Sequence, residues 1–250
     1  EGKFGLYDVI KKEFIIPVEF ESIFHRREKE DYLIYCNKKN KQKSYLLKGV
    51  LASKKAKIRP AYFLPLMQLE IVANHKNKGT LESIRDVRVA FPYQTMHTDV
   101  VKNSVVLFLA EMLGNSIQEQ EQDEGLFNYL EYALHWMDAH KLSPNFHILF
   151  LLNLTKYLGF YPDTSYQNSP FFDLLEGRFC NEPSLNPLIQ NENLENFKKF
   201  LGTNFEALQG IQLTKSNRRE LLKTVVQYFR LHVYGFREPK SLAVLNAVFT

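Results

Sequence analysis

Apolar and polar positions along this chain follow two different periods. Up to about residue 90 the apolar residues come in short runs with β-branched and aromatic members: Phe4–Val9, Phe14–Val18, Tyr32–Tyr35, Ser44–Leu51, Gln68–Ala73 and Asp86–Val89. Turn-forming stretches at Asn37–Asn40, Ala52–Lys57 and Asn74–Gly79 separate several of them, the pattern of short strands joined by tight connections. From Asp99 the spacing becomes helical. Val101, Val105, Phe108, Leu109, Met112 and Leu113 form one stripe, and Leu126, Phe127, Leu130, Leu134 and Met137 form a second. A third, running from Phe146 to Leu158, is introduced by Ser143 and Pro144 at N-cap and first-turn positions and stopped by Gly159. Residues 160–190 lack a period and read as a long surface loop, with at most a short helix near Phe171–Glu176. A helical segment around Leu194–Leu201 follows. Thr214 to Asn217 then cap a helix that lines up Leu221, Leu222, Val225, Val226 and Phe229. Gly235 breaks it, and Ser241 caps a final helix carrying Leu242, Val244, Leu245, Val248 and Phe249.

The fold class expected is therefore α+β: a small closed or partly open β-barrel over residues 1–90, followed by a helical domain over 91–250. The chain has 250 residues, 45% of them apolar, enough for a sizeable core. No apolar run reaches the roughly 18 residues of a spanning helix, so no membrane association is expected. Two cysteines, Cys36 and Cys180, give no disulfide framework, and a reduced, cytoplasmic setting is the expectation.

The net charge of +4 conceals segregation. Residues 1–100 carry a balance of +7, residues 101–210 of −8 and residues 211–250 of +5. Separate surfaces for separate partners would produce such a pattern, as would mutual neutralisation within one monomer. Between Asp31 and Glu70 stand nine cationic residues and no acidic one: Lys38, Lys39, Lys41, Lys43, Lys48, Lys54, Lys55, Lys57 and Arg59. Tyr32, Tyr35, Tyr45, Tyr62 and Phe63 run through the same stretch. A field of one sign interleaved with flat aromatic faces fits nucleic acid, although barrel packing accounts for most of these tyrosines. On a single strand the lysines would not all project together, so a hairpin or barrel rim is needed to gather them. A second basic set, Lys215, Arg218, Arg219, Lys223 and Arg230, lies on the penultimate helix.

Catalytic chemistry finds little support. No G-x-S-x-G elbow, phosphate-binding glycine loop or dinucleotide fingerprint occurs. His135 and His140 are five apart, which places them on different faces of a helix. His147 and His232 stand alone and read as helix-packing or surface residues. Cys180 has no C-x-x-C partner, and the acidic link Glu119–Glu124 reads as a solvated loop or helix end. The chain is read as a binding protein rather than an enzyme, without cofactor or metal.

Several segments, in order, carry a family resemblance. QKSYLLKGV at Gln42–Val50, the basic turn after it, and Phe63–Leu66 resemble the oligonucleotide-binding (OB) barrel of the RecO family of DNA-repair proteins. Ile84–Val89, Ser104–Met112, Phe146–Pro162 and Arg218–Phe249 continue the likeness, which covers roughly residues 30–250. The resemblance implies an N-terminal OB-like barrel, an all-helical domain and a recombination mediator without nucleotide chemistry. Such a protein binds and anneals single- and double-stranded DNA. It acts with RecR to load RecA onto strands coated by the single-stranded-DNA-binding protein, SSB, whose acidic, apolar-ended C-terminal tail docks on the helical domain. The lysines between Lys38 and Arg59 become candidate DNA contacts, Arg218, Arg219, Lys223 and Arg230 candidate tail contacts, and the expected location is the cytoplasm, at the nucleoid.

Two departures stand out. Many members of the family carry a four-cysteine zinc module inside the helical domain; here the stretch Phe171–Pro187 offers Cys180 alone, so a zinc-free member is implied. The opening Glu1–Ile23 looks instead like one WG-type β-repeat, with Gly2–Asp8 as its first strand and Ile15–Phe20 as its second. One repeat does not bury a face alone; either it substitutes for barrel strands or it derives from elsewhere. The competing functional reading is an interaction scaffold that binds an acidic tail and not DNA.

Overall fold

A computed structural model of the chain describes residues 3–8, 13–17, 22–28, 31–38, 41–47, 60–74, 82–117 and 123–249, with side chains described for 62–70, 86–117 and 123–249. The fold is mixed, with paired strands first and helices after them. The chain divides into two compact units, Glu1–Asn128 and Tyr129–Thr250.

The first unit opens with seven strands: β1 (Lys3–Asp8), β2 (Glu13–Pro17), β3 (Ser22–Glu28), β4 (Asp31–Lys38), β5 (Lys41–Leu47), β6 (Leu69–Asn74) and β7 (Glu82–Val89). Pairing runs β1–β2–β3–β4–β5–β7–β6, and β6 also pairs with β1. Every pairing is antiparallel except that of β5 with β7. Six of these strands lie where the alternation predicts them. The seventh, β3, escapes the pattern because its SIFHRRE sequence holds two apolar residues among charged ones; its register against β4 is nonetheless continuous from Ser22–Asn37 to Glu28–Asp31. A short 3-10 helix, Pro60–Phe63, precedes β6. Helix α1 (Val100–Ser116) lies against β1 and β2. Its start is fixed by Asp99, whose carboxylate accepts from the amides of Val101 at 2.8 Å and Lys102 at 3.0 Å, satisfying two of the four orphan donors of a helix N-terminus.

Helix α2 (Glu124–Ala139) carries the chain into the second unit. Its N-terminus is tied by Asp123 accepting from Leu126 N at 2.8 Å. Helix α3 (Phe146–Tyr157) is the core of the unit: every residue from Phe146 to Thr155 is buried, as expected of a helix that is apolar all round. Its cap differs from the one predicted. Asn145 holds the N-cap position without a side-chain cap bond, while Ser143 Oγ accepts from Asn145 N at 3.3 Å. Asn145 is recruited to tertiary bonds instead, as described below. Gly159 closes α3 with φ +80°. Phe160 N reaches back to Thr155 O at 3.0 Å, the long bond of a Schellman motif, which glycine accommodates without steric cost.

The region after α3 corrects the expectation of an all-helical domain. In place of a loop with one short helix stand three strands, β8 (Phe171–Asp173), β9 (Arg178–Cys180) and β10 (Leu188–Gln190), ordered β10–β8–β9 and antiparallel. Asp173 organises them. Its buried carboxylate accepts from Leu175 N and Glu176 N, both at 3.0 Å, from Ser184 Oγ at 2.6 Å and from Asn186 Nδ2 at 3.0 Å. Two segments eleven or more residues apart are thus held by one side chain. Helix α4 (Asn191–Lys198) starts three residues before its predicted start. Helix α5 (Lys215–His232) is capped by Thr214 Oγ1, which accepts from Asn217 N at 3.1 Å, and α6 (Leu242–Val248) ends the described chain.

Candidate functional site

The basic stretch falls on the β4–β5 hairpin and the residues after it. Lys38 is the register partner of Lys41, and Cys36 that of Lys43. Of the nine, Lys38, Lys41 and Lys43 lie on the paired strands β4 and β5. Lys39, Lys48, Lys54, Lys55, Lys57 and Arg59 lie outside the described residues.

The second basic set is fully described, and α5 distributes it unequally. At the N-terminal end of α5 a pocket opens between α3, α5 and α6. His147, Leu222, Leu245 and Phe249 supply its apolar and aromatic lining, and Lys215, Arg218, Arg219 and Asn246 its polar part. Lys215 and Arg219 are exposed. Arg218 is half-buried and tied down: Nε donates to Asn145 Oδ1 at 2.9 Å and Nη2 to Leu213 O at 3.3 Å. Asn145 in turn donates through Nδ2 to Ile211 O at 2.8 Å. Arg218 therefore clamps the start of α5 to the start of α3 as well as lending its charge to the pocket. Among the described residues none of Lys215, Arg218 and Arg219 forms an ion pair with a carboxylate.

Three cations on the first turns of α5, with no acidic residue in the first turn, oppose the helix macrodipole, whose positive end favours anions. Such an arrangement is costly to the free helix and lowers the cost of bringing an anion there. The remaining two candidates stand apart. Lys223 is exposed one turn further along, and Arg230 pairs through Nη2 with Glu238 at 2.6 Å, about 16 Å along the helix from Arg219 at 1.5 Å per residue. The pocket thus unites Arg218 and Arg219 with Lys215 and leaves Arg230 to hold the connection after α5.

His147 was legible in the sequence only as an isolated histidine. It is buried on α3, and its ring stacks on Phe249 with centroids 5.4 Å apart. Burial, and then the neighbouring Arg218 charge, lower its pKa from 6.5 to about 3, so it is neutral at pH 7. His232 is a packing residue as read: it lies flat on Phe160 with centroids 5.0 Å apart, one ring nitrogen 2.9 Å from Leu174 O. His140 stacks on Trp136. Among the described residues no group of three or more His, Cys, Asp or Glu is placed to hold a metal ion, and no helix is long and apolar enough to cross a membrane.

The described residues thus combine paired strands followed by helices with a pocket in the second unit whose lining is partly apolar and partly cationic. The family model described as "Recombination protein O C terminal" matches residues 97–243. The chain is 47% identical to the DNA repair protein RecO of Christiangramia forsetii, over 82% of this chain and 86% of that protein. Against the DNA repair protein RecO of Flavobacterium psychrophilum identity is 45%, over 83% and 87% respectively. Against that of Phocaeicola vulgatus it is 30%, over 85% and 89%. The chain belongs to the RecO family, and its role lies in DNA repair and recombination.

Proposed function

We propose that this protein is a recombination mediator that binds and anneals single- and double-stranded DNA and, with RecR, helps load RecA onto SSB-coated single strands. Residues 1–90 act as an OB-like barrel, with the strands of the WG-like opening completing it, and residues 91–250 form the partner-binding domain. Lys38 to Arg59 contact DNA phosphates, and the α5 cations receive the acidic tail of SSB. The setting is the cytoplasm, at the nucleoid. The observation that carries the reading is the acid-free run of nine cations in a chain of this family.

The test is a titration with single-stranded DNA at several salt concentrations. If about five residues neutralise phosphates, log K falls against log salt with a slope of about −3.5. Changing Lys43, Lys48, Lys54 and Lys55 to Glu removes most of the binding. Tight binding that ignores both salt and these substitutions overturns the DNA reading, and retention of tail binding in its absence leaves the scaffold reading.

A further inference from the structure

Two exposed leucines of the second unit hang from one buried carboxylate. Asp173 accepts from Leu175 N at 3.0 Å and holds both neighbours of Leu185, Ser184 through Oγ at 2.6 Å and Asn186 through Nδ2 at 3.0 Å. Asn186 N also donates to Ser184 Oγ at 3.2 Å, and Leu174 N to Pro187 O at 2.9 Å. Leu175 is nonetheless exposed and Leu185 fully so. A single leucine in water is ordinary. A loop fixed on both sides of its leucine is different, because it has already given up the conformational freedom that docking costs. Glu182, three residues before Leu185, is exposed and forms no ion pair among the described residues. The cation nearest to it in sequence, Arg178, already pairs with Glu176 at 3.6 Å. The loop thus presents an aliphatic knob with an unneutralised carboxylate close by.

The same unit carries the complement of that loop at the other end of α5. The pocket between α3, α5 and α6 is walled by Leu222, Leu245, Phe249 and the neutral ring of His147, with Arg218 and Arg219 beside them. Its walls suit an aliphatic side chain as they stand, and its cations suit a carboxylate next to that side chain. One copy does not make this contact with itself. A His232 ring nitrogen lies 2.9 Å from Leu174 O, so the Asp173-held loop sits by the C-terminal end of α5. At 1.5 Å per residue Arg219 and His232 stand about 20 Å apart along that helix, and a loop pinned at both sides of Leu185 does not cross the distance.

We propose that the loop of residues 182–186 of one copy docks in the α3–α5–α6 pocket of a second copy, with Leu185 against the apolar walls and Glu182 toward Arg219. The two faces are unlike, so the contact is heterologous. Each copy carries one loop and one pocket, and copies add head to tail instead of closing as an isologous pair. One knob and one charge pair make a small contact, so the association is weak and depends on concentration. It also weakens with salt, because the charges lie at the surface. The inference goes beyond the assignment of an acidic tail to the α5 cations and stands without it.

Sedimentation equilibrium of the full chain, freed of nucleic acid, measures its weight-average mass against concentration at low and high salt. The parent's mass rises with concentration, less steeply at high salt. Leu185→Ser removes the knob and Arg219→Glu reverses a charge of the pocket, and each weakens self-association about tenfold or more. Both side chains are exposed, so neither change touches the core. Mixing the two variants is the decisive arm. Leu185→Ser keeps an intact pocket and Arg219→Glu keeps an intact loop, so an equimolar mixture regains one contact of parental strength and stops at a dimer. A parent that stays monomeric overturns the proposal. So does association that survives either substitution, and so does a mixture that stays monomeric. In each case titration with an acidic tail peptide still tests the tail assignment by itself.

Discussion

At the scale of single residues, the side chains that define the pocket are defined by what they do elsewhere in the fold. Arg218 is half spent on Asn145 and Leu213, whereas Arg219 is exposed and touches no carboxylate among the described residues. Equal spacing in sequence hides this difference, because only the tertiary position of Asn145 reveals it. His147 makes a measurable signature. Its folded-state pKa of about 3 lies below the ordinary 6.5. Between those values the unfolded chain binds a proton that the folded chain does not, so stability rises with pH through this window and is complete above about pH 6.5. Between pH 7.5 and pH 4.5 this group alone removes roughly 2–3 kcal/mol. Denaturant unfolding of the parent and of His147→Leu at the two pH values checks it. The stability difference between the two pH values shrinks by about that amount in the variant, and an identical difference in both proteins refutes the assignment.

At the scale of elements, α2 and α5 were legible because burial of one face stamps a 3.6-residue period on sixteen or more positions at once. The strands of three residues were not, since a period of two leaves no trace in so short a run. The β8–β9–β10 sheet is specified instead by Asp173 and by Gly177, which adopts φ +66° and whose added Cβ would stand 2.7 Å from Tyr228 Oη. Tyr228 Oη donates to Phe160 O at 2.8 Å, so it does not move aside freely. Neither signal is periodic, and each depends on a partner distant in sequence. Where the family resemblance implies a four-cysteine metal module in many members, this chain ties its segments with one carboxylate. Asp173→Ala leaves Ser184, Asn186 and two amides without their acceptor and costs about 1–3 kcal/mol. Thermal unfolding of that variant shows the loss, and a chelator leaves the parent's midpoint unchanged. A midpoint lowered by the chelator sinks the idea that the carboxylate, rather than a metal, holds these strands.

At the scale of the whole molecule, the charge map gains meaning from where its two positive blocks fall. The block of residues 1–100, at +7, contains the β4–β5 hairpin, and the block of residues 211–250, at +5, contains α5. They belong to different compact units, and the −8 stretch lies between them in sequence. On the proposed reading the two blocks receive two different anionic partners, a polynucleotide and an acidic tail. Substitutions in one block leave binding at the other intact. Lys43, Lys48, Lys54 and Lys55 changed to Glu lose DNA and keep the tail peptide. Arg219→Glu loses the peptide about tenfold or more and keeps DNA; Arg219 is the position to change because Arg218 also fastens α5 to α3. Parallel titrations of both variants with both ligands decide the matter. Loss of both ligands from either variant means one shared surface, and the separation of the charges along the sequence would then reflect neutralisation within the protein rather than a division of labour between its two units.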